Sequence, residues 1–277
     1  MENINVPNVT KEDIKKALRE CGLREGDTVN VHSSLKACGH IEGGADTVID
    51  AFLEVIGKEG TLVMPTLAQK NFETAYEDWT MDRPSDTGLI TETFRLRPES
   101  IRSDQATHSV AAQGPLAEWL TRDHGKYGKR PGVFGDTCFA VCSPWQKLYD
   151  MNAKIVLFGV TMHSNTMKHL IEYVFINDML SKMADPEIRE QFANRLRAMD
   201  RMNTMCWPFS SGELTQEWCD KAGLLQKVKC GNAELVCYRA KDTNDYSEKV
   251  YFEHPELFWN EEFLPWFKEA KQYVGLI

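Results

Sequence analysis

The sequence predicts an α/β fold in which a mixed central sheet is flanked by helices. Residues 28–64 follow the pattern strand, polar turn, helix, strand, which is typical of a parallel βαβ unit. Residues 155–160 form a short apolar run of the kind found in buried strands. Two further strand patterns at 224–228 and 234–238 enclose Gly231 and indicate a closing hairpin. Parallel and antiparallel pairs are therefore expected in one sheet.

The N-terminal elements follow from a helix cap and from the spacing of apolar residues. Thr10 and Asp13 match a capping box, in which each side chain accepts a backbone proton of the other residue. In the predicted helices, apolar residues recur at helical spacing. In the predicted strands, apolar and polar residues alternate. These patterns predict a helix over 10–21, a strand over 28–32, a helix over 45–56 and a strand over 61–64.

Several of the remaining elements are predicted from residues that typically begin or end a helix. Asp185 and Pro186 match a cap and a first helical position, so they restart a helix within the charged, helical region 175–202. The aromatic segment 255–277 is expected to dock on the rest of the chain. No repeat or linker divides the sequence, which predicts a single domain over 1–277. Further helices are expected over 87–96, 116–124 and 213–222 and from Ser143 onwards, and a surface loop over 71–86.

Composition narrows the class of protein. The chain has 32 Lys and Arg against 41 Asp and Glu, a formal charge of −9, which argues against nucleic acid as a partner. No apolar run approaches the roughly 18 residues of a membrane span, and the first residues lack the core of a signal peptide. The eight cysteines are scattered without zinc spacing, so we expect no metal site and a reducing, cytoplasmic location.

The candidate site lies in residues 154–175, where the buried strand ends in a polar loop and a helix follows. Ligands of open α/β sheets bind where strands end and helices begin. His169 and Glu172 are three positions apart, so they share one face of that helix. A carboxylate beside an imidazole fixes its tautomer, which predicts a general base with its orienting partner. An ordinary surface pair has the same spacing, and only the site's placement favours catalysis.

Five stretches, in order along the chain, resemble the aminoglycoside 3-N-acetyltransferase family, whose members are called antibiotic N-acetyltransferase-like. They include HSSL at 32–35, SVAA at 109–112 and NTMKHLIE at 165–172. A looser similarity continues at 212–223. The full stretches are 31–66, 88–95, 102–120, 134–150 and 156–173.

The resemblance implies the family's α/β fold and transfer of an acetyl or acyl group from acetyl-CoA to an aminosugar amine, without a metal. It implies His169 as the base and Glu172 as its helper, with Asn165 and Thr166 at the substrate. The implied CoA-binding residues are His32, Ser33, Ser34, Leu35, Ser103, Ser109, Val110 and Ala111. The partners are then acyl-CoA and a small-molecule amine, and the aromatic C-terminal segment leaves a homodimer open.

Three departures from the family's pattern affect the expected substrate. Gln105 and Ala106 stand where relatives carry His-Pro before the THSVAA stretch, so the loop beside the cofactor is expected to differ. His163 brings a second imidazole near the site, most simply as an ordinary loop histidine. Residues 175–202 do not resemble the drug-modifying members. The acceptor is therefore either an aminoglycoside antibiotic or a biosynthetic aminosugar.

The expected mechanism is direct transfer in a ternary complex, with backbone N–H groups near Ser33–Leu35 or Ser109–Val110 holding the developing oxyanion. A covalent route through Cys38 lacks an evident adjacent base, and a buried structural thiol is the simpler interpretation. Two other classes stay open: an acyl-CoA-binding protein without catalysis, and an acyl-CoA hydrolase in which water replaces the amine.

Overall fold

The computed structural model describes residues 7–68, 70, 74–126, 138–199 and 210–277. Its strands are β1 (Asn8–Val9), β2 (Thr28–Ser33), β3 (His40–Ile41), β4 (Thr61–Pro65), β5 (Ile101–Arg102), β6 (Val110–Gln113), β7 (Lys154–Phe158), β8 (Gln226–Cys230) and β9 (Ala233–Arg239). Its helices are α1 (Lys11–Glu20), α2 (Gly44–Ile56), α3 (Leu89–Arg95), α4 (Ala117–Thr121), α5 (Pro144–Asp150), α6 (Met167–Ser181), α7 (Pro186–Met199), α8 (Gly212–Lys221), α9 (Ala240–Glu253), α10 (Pro255–Phe258) and α11 (Phe263–Tyr273). Short 3₁₀ helices cover Leu35–Cys38 and Met162–Ser164.

The main sheet of the described residues has seven strands in the order β5-β6-β4-β2-β7-β9-β8. Strand β2 pairs in parallel with both β4 and β7, so three parallel strands form the centre. Antiparallel pairs of β4 with β6 and of β7 with β9 extend the sheet on either side. The mixed sheet predicted from the sequence is thus confirmed, and the carboxyl ends of β2, β4 and β7 meet at one edge.

Alternating side chains cover the two faces of this sheet with separate apolar clusters. Val31 and Phe158 pack on one face with residues of α1 and α2, such as Phe52. Ile155 and Leu157 pack on the other face with residues of α4, α5 and α6. This period of two is what a pleated strand imposes. Helix α6 is therefore pressed against the sheet at the same end as the carboxyl edge.

A third apolar cluster lies on the outer side of α6 and contains the aromatic C-terminal segment. Phe175 of α6 packs against Trp259 and Phe267, with ring centroids 4.8 and 5.1 Å apart. The Trp266 side chain is fully buried and its indole N–H donates to the carbonyl of Phe192 in α7. The docking expected for this segment is confirmed. Because these rings are buried within their own chain, they do not offer a surface to a second copy.

Local sequence signals explain several helix boundaries. The reciprocal bonds of Thr10 and Asp13 form a capping box at α1, and Asp185 Oδ1 accepts the Glu187 N–H at 2.8 Å where α7 begins. Helix α4 ends earlier than the expected residue 124, because Arg122 is extended and Asp123 has a φ of 67°. The expected end of the charged helical region at 202, the first residues of the stretch 134–150, and Cys206 lie outside the described residues.

Helix α9 was not expected from the sequence. Its buried face includes Thr243, Asn244 and Ser247, so the apolar periodicity that marks a helix is missing. The Ser247 hydroxyl donates to the carbonyl of Thr243 at 2.7 Å, which satisfies its hydrogen-bonding capacity inside the protein. Of the helices in the described residues, none combines the length and the apolarity needed to span a membrane.

Candidate active site

A cavity of about 330 Å³ lies at the edge where the parallel strands β2, β4 and β7 end. Because β6 runs antiparallel to β4, the loop that enters β6 reaches the same edge. Open α/β sheets bind ligands at this edge, and small-molecule sites span roughly 300–1,000 Å³. Among the described residues, the cavity is lined by His32, Ser33, Pro65, Leu67, Thr87, Thr91, His108, Val160, His163, Ser164, Asn165, Thr166 and His169.

The start of α6 places a histidine at the cavity with a carboxylate behind it. His169 Nδ1 lies 2.7 Å from Glu172 Oε2. The Glu172 side chain is 1% exposed and the His169 side chain 14% exposed, so the carboxylate is buried and the imidazole reaches the cavity. Since the carboxylate accepts the Nδ1 proton, the neutral ring carries its lone pair on Nε2. This arrangement can accept a proton at Nε2 and stabilise the resulting imidazolium.

Ser210 holds the second oxygen of the carboxylate. Its backbone N–H and its hydroxyl both donate to Glu172 Oε1, at 2.7 and 2.8 Å. Glu172 therefore accepts hydrogen bonds at both oxygens although it is removed from solvent. Sequence reasoning missed Ser210, because it lies 38 positions from Glu172. The available signal was the Ser-Ser-Gly sequence before α8, and that signal marks only a helix cap.

The loop after β7 delivers both predicted substrate-binding residues to the cavity. Asn165 Oδ1 accepts the Met167 N–H at 3.0 Å, a short-range turn that starts α6, and Thr166 takes the cap position. Both residues line the cavity. Gly159 begins this loop with a φ of 69°, and a Cβ there would lie 2.5 Å from Ala37 Cβ. The close approach expected for Gly159 is thus present.

Two residues of the HSSL turn line the cavity and the other two do not. His32 and Ser33, at the end of β2, line the cavity. Burial lowers the pKa of His32 to about 3, although a bond with the Ser164 backbone opposes the change. His32 is consequently a neutral imidazole at physiological pH. Ser34 and Leu35 do not line the cavity, and Leu35 packs against the apolar cluster below the sheet.

Ser103 is engaged in a buried hydrogen-bond chain away from the cavity. Its Oγ accepts the Val110 N–H at 2.9 Å and lies 2.8 Å from His124 Nδ1. His124 Nε2 is 2.9 Å from the Cys138 carbonyl, to which it must donate, so Nδ1 accepts the serine proton. Burial lowers the pKa of His124 to about 4, so the ring is neutral. The chain ties the loop before β6 to α4 and to Cys138.

Ser109, Val110 and Ala111 also lie behind the cavity lining. The Ser109 hydroxyl donates to the Thr66 carbonyl at 2.9 Å and accepts from Arg102 Nε at 3.2 Å. Val110 and Ala111 are fully buried and pack into the clusters on opposite faces of the sheet. None of these side chains is among those that line the cavity. A contact of this stretch with CoA would thus come from its backbone.

Arg102 fastens the loop after β4 to the sheet. The buried guanidinium donates to the carbonyls of Thr66, Met81 and Arg83 and stacks on Trp79, with Cζ 4.6 Å from the ring centroid. Burial, reinforced by the nearby charge of Arg95, lowers its pKa to about 10, so it stays charged at neutral pH. Since Leu67 and Thr87 of this loop line the cavity, Arg102 shapes one cavity wall from behind.

The substitution of His-Pro by Gln105 and Ala106 has a clear structural effect. Gln105 Oε1 accepts the backbone N–H groups of Thr107 and His108 at 2.8 and 2.6 Å. The Trp145 indole donates to the His108 carbonyl at 3.0 Å. These bonds set the position of the His108 ring, which sequence reasoning did not single out although it lines the cavity.

Three histidines besides His169 face the cavity, and they differ in environment. The His108 ring lies edge-on to His169, with centroids 6.2 Å apart, and burial holds its pKa well below the ordinary value. His163 is 70% exposed and its Nδ1 lies 3.2 Å from Glu213 Oε1 at the rim. With the buried His32, these rings make the cavity polar. In the described part of the chain, no group of three or more His, Cys, Asp or Glu could hold a metal ion.

Together, a histidine paired with a buried carboxylate and a polar cavity at the carboxyl edge of a mixed sheet define a candidate acid–base site. A model of the aminoglycoside 3-N-acetyltransferase family matches residues 31–251. The match covers most of the chain and both members of the pair. The chain therefore belongs to the aminoglycoside 3-N-acetyltransferase family.

A curated relative supports this membership. The SPbeta prophage-derived aminoglycoside N(3')-acetyltransferase-like protein YokD of Bacillus subtilis (strain 168) is 34% identical over 185 residues. The aligned stretch covers 59% of this chain and 65% of the relative. The match thus spans a little less than two thirds of that relative's length.

Solved structures of the family share the fold over nearly the whole chain. A mutant of aminoglycoside acetyltransferase AAC(3)-IVa in complex with a gentamicin superposes with a TM-score of 0.69 at 18% identity, covering 98% of this chain and 100% of that chain. AAC-IIIb in a binary complex with CoASH gives a TM-score of 0.63 at 19% identity, covering 89% and 97%. The fold implied by the sequence motifs is confirmed.

Proposed function

We propose that this protein transfers an acetyl group from acetyl-CoA to an amine of an aminosugar, with His169 as the general base. The observation that carries the proposal is the 2.7 Å contact of His169 Nδ1 with the buried Glu172 carboxylate, beside a cavity of ligand size. Family membership supports the reaction class. Acyl transfer to an amine needs a base, because an ammonium group has no lone pair with which to attack.

The chemistry assigns a step to each member of the pair. His169 Nε2 takes a proton from the acceptor amine, whose lone pair forms a bond to the thioester carbonyl carbon. Glu172 stabilises the imidazolium through Nδ1–H. The C–S bond then breaks, and the CoA thiolate leaves and takes up a proton. The products are the N-acetylated sugar and CoA thiol, so the proton and the acyl group are both accounted for.

Acetyl-CoA as the acyl donor is supported by the CoASH complex of AAC-IIIb, which shares the fold. Ser33, Asn165 and Thr166 are among the residues that line the cavity, and they carry hydroxyl and amide groups. An uncharged arm carrying amide groups needs such partners more than it needs charges. We therefore assign these three residues to the bound substrates, with His32 as a neutral wall.

The oxyanion of the tetrahedral intermediate requires N–H donors near the thioester. Two of the N–H groups in the expected stretches are already used, since Ser34 N–H donates to the Phe158 carbonyl at 2.9 Å and Val110 N–H donates to Ser103. The proposal for the oxyanion is accordingly restricted to the other N–H groups of 33–35 and to Ser109. Such donors are typically worth about 3 kcal/mol of transition-state stabilisation each.

An aminoglycoside is the proposed acceptor, because a family member of the same fold is bound to a gentamicin. The test is release of CoA thiol from acetyl-CoA with gentamicin, with glucosamine, and without an amine. Release that depends on gentamicin supports the proposal. Release with glucosamine alone would replace the acceptor by a biosynthetic aminosugar, and release without any amine would indicate a hydrolase. Tight CoA binding without release in any mixture would favour a non-catalytic acyl-CoA-binding protein.

A further inference from the structure

The Glu172 carboxylate is held from two sides by different parts of the chain. Oε2 faces His169 on the same helix, whereas Oε1 receives both donors of Ser210, which precedes α8. Ser210 is 5% exposed and Glu172 is 1% exposed, so water does not compete for these bonds. A carboxylate bonded at both oxygens has one orientation, and that orientation sets the direction of the imidazole ring.

The position of Ser210 is itself fixed by the aromatic C-terminal segment 255–277. Ser210 forms an isolated β-bridge with Trp259, and the next residue, Ser211, donates its N–H to the Phe258 carbonyl at 3.0 Å. The Ser211 hydroxyl accepts the Leu214 N–H and caps α8. These bonds hold Ser210 and the start of α8 against the C-terminal segment, and they do not involve the cavity.

A buried hydroxyl network continues beyond Ser210. Tyr251 is fully buried, its hydroxyl lies 2.6 Å from Thr215 Oγ1, and it shares a hydrogen bond with Ser210. Thr215 Oγ1 donates to the Ser211 carbonyl at 2.6 Å. Glu172 accepts the single proton of Ser210, and the Ser211 carbonyl accepts that of Thr215. Both hydroxyls can therefore only accept from Tyr251, which has one proton to share between them. The network leaves the Ser210 proton on Glu172 and surrounds Ser210 with buried hydroxyl groups.

We propose that Ser210 is a positioning residue for the reaction, acting through Glu172 to orient His169. This inference rests on the proposed role of His169 as the base. In this role Ser210 touches no substrate. Its hydroxyl restricts the rotation of the carboxylate and takes up part of its negative charge, so Glu172 attracts the Nδ1 proton less strongly than an isolated carboxylate would.

The sign of the pH effect follows from that charge sharing. Without the Ser210 hydroxyl, Glu172 carries more charge and stabilises the imidazolium more, so His169 keeps its proton to higher pH. The other titratable groups facing His169 are the buried, neutral His108 on the loop before β6 and His32 on β2. His163, paired with Glu213 at the rim, is exposed. A His163→Gln background removes its titration from the measurement.

The experiment compares Ser210→Ala with Ser211→Ala and Ser210→Thr. Ser211→Ala removes a neighbouring hydroxyl that caps a helix without touching Glu172, so it reports stability effects alone. Ser210→Thr restores the hydroxyl. The readouts are kcat, the KM for acetyl-CoA and the acid limb of kcat/KM with gentamicin as acceptor. The titration of His169 is followed separately by NMR of histidine-labelled protein, with His169→Ala identifying the signal.

We expect Ser210→Ala to lower kcat roughly tenfold to a hundredfold while the KM for acetyl-CoA stays within about twofold, since misorientation acts on the reacting geometry. The acid limb and the NMR titration of His169 should both move to higher pH. Ser210→Thr should recover most of both effects, and Ser211→Ala should show neither.

An unchanged His169 titration in Ser210→Ala, with kcat equal to that of Ser211→Ala, would overturn the inference. If Ser210→Ala does not fold, Tyr251→Phe replaces it, because it removes a buried hydroxyl that hydrogen-bonds with Ser210, and the same shift of smaller size is expected. The NMR titration needs no acceptor. A shifted titration in a protein without transferase activity would therefore contradict the proposed function and leave the role of Ser210 standing.

Discussion

The two walls of the candidate site use their polar residues in opposite ways. At the end of β7 and the start of α6, Asn165, Thr166 and His169 all belong to the lining of the cavity. In the stretch that leads into β6, Ser103 and Ser109 direct their hydroxyls into buried networks behind the cavity. Both stretches carry family motifs, yet of the second one the cavity lining includes His108 and neither Ser103 nor Ser109.

This difference separates two ways in which a motif can contribute to a site. A motif that starts a helix at a strand end exposes its side chains at the binding edge. A motif inside a paired strand alternates its side chains between two buried faces, so its contribution to binding comes through the backbone and through the shape of the wall. We therefore expect changes in the two walls to affect activity and stability differently.

The largest effect is expected for Glu172→Gln in the catalytic wall. The amide would donate to His169 Nδ1 and force the proton onto Nε2, which removes the base. A fall in kcat of about 10²–10⁴-fold is expected, with little change in the KM for acetyl-CoA. Steady-state thiol release measures it. Glu213→Gln, an exposed carboxylate beside His163, is the control, and equal losses in the two variants would contradict the assignment.

The second largest effect concerns stability and belongs to the other wall. Arg102→Met removes a buried guanidinium together with its bonds to the carbonyls of Met81 and Arg83, and the Thr66 carbonyl keeps the Ser109 hydroxyl as a donor. We expect the free energy of unfolding to fall by roughly 3 kcal/mol or more. Urea denaturation measures this loss. The control is Arg122→Met, whose side chain is 61% exposed. A loss below about 1 kcal/mol for Arg102→Met would show that the loop is not fastened by this residue.

The same wall should make the protein sensitive to acid. Burial lowers the pKa of His124 to about 4, below the unfolded value near 6.5. The unfolded chain therefore binds the proton first, so stability is fully present above about pH 6.5 and declines as the pH falls toward 4. A shift of this size corresponds to roughly 3 kcal/mol at the lower limit.

His124→Asn removes the titrating group of that wall and should flatten the decline. Chemical denaturation at pH 7.5, 6, 5 and 4.5 compares the two proteins. Since His32 and His108 are also buried and neutral, part of the decline should persist in the variant. Identical pH dependence in both proteins would show that His124 does not contribute.

The smallest effects compare one serine from each wall. Ser109→Ala should lower the free energy of unfolding by about 1–2 kcal/mol, because the Arg102 Nε–H loses its acceptor. Its affinity for CoA should not change. Ser33→Ala, at the cavity, should weaken CoA binding about threefold to tenfold with unchanged stability, since a hydrogen bond to the ligand is lost. Calorimetric titration with CoA and urea denaturation decide the comparison, and the reversed pattern would exchange the roles of the two walls.

The sequence predicted those parts of the fold and site that depend on local spacing. The His169–Glu172 pair was visible because three positions on a helix place two side chains on one face. The capping box at Thr10 and the buried strand β7 were also visible, because a cap and an apolar run are both defined by residues close together in the sequence. The mixed sheet followed from one βαβ pattern and one hairpin, and the order of its strands did not.

Features that depend on long-range packing could not be predicted. Ser210 donates to Glu172 only because the residues before α8 are bound to the aromatic C-terminal segment. The buried face of helix α9 is not continuously apolar, since it includes Thr243, Asn244 and Ser247. The direction of the Ser103 and Ser109 side chains depends on the partners His124 and Arg102. No spacing rule relates these residues to one another.

The most direct test of the account measures amine-dependent thiol release from acetyl-CoA by the parent protein, His169→Ala and His163→Ala. Both histidines line the same cavity, and of the two only His169 is joined to a buried carboxylate. We expect His169→Ala to lose about 10²-fold or more in kcat while binding CoA normally, and His163→Ala to stay within about threefold of the parent protein. Full turnover by His169→Ala would contradict the role of His169 as the general base.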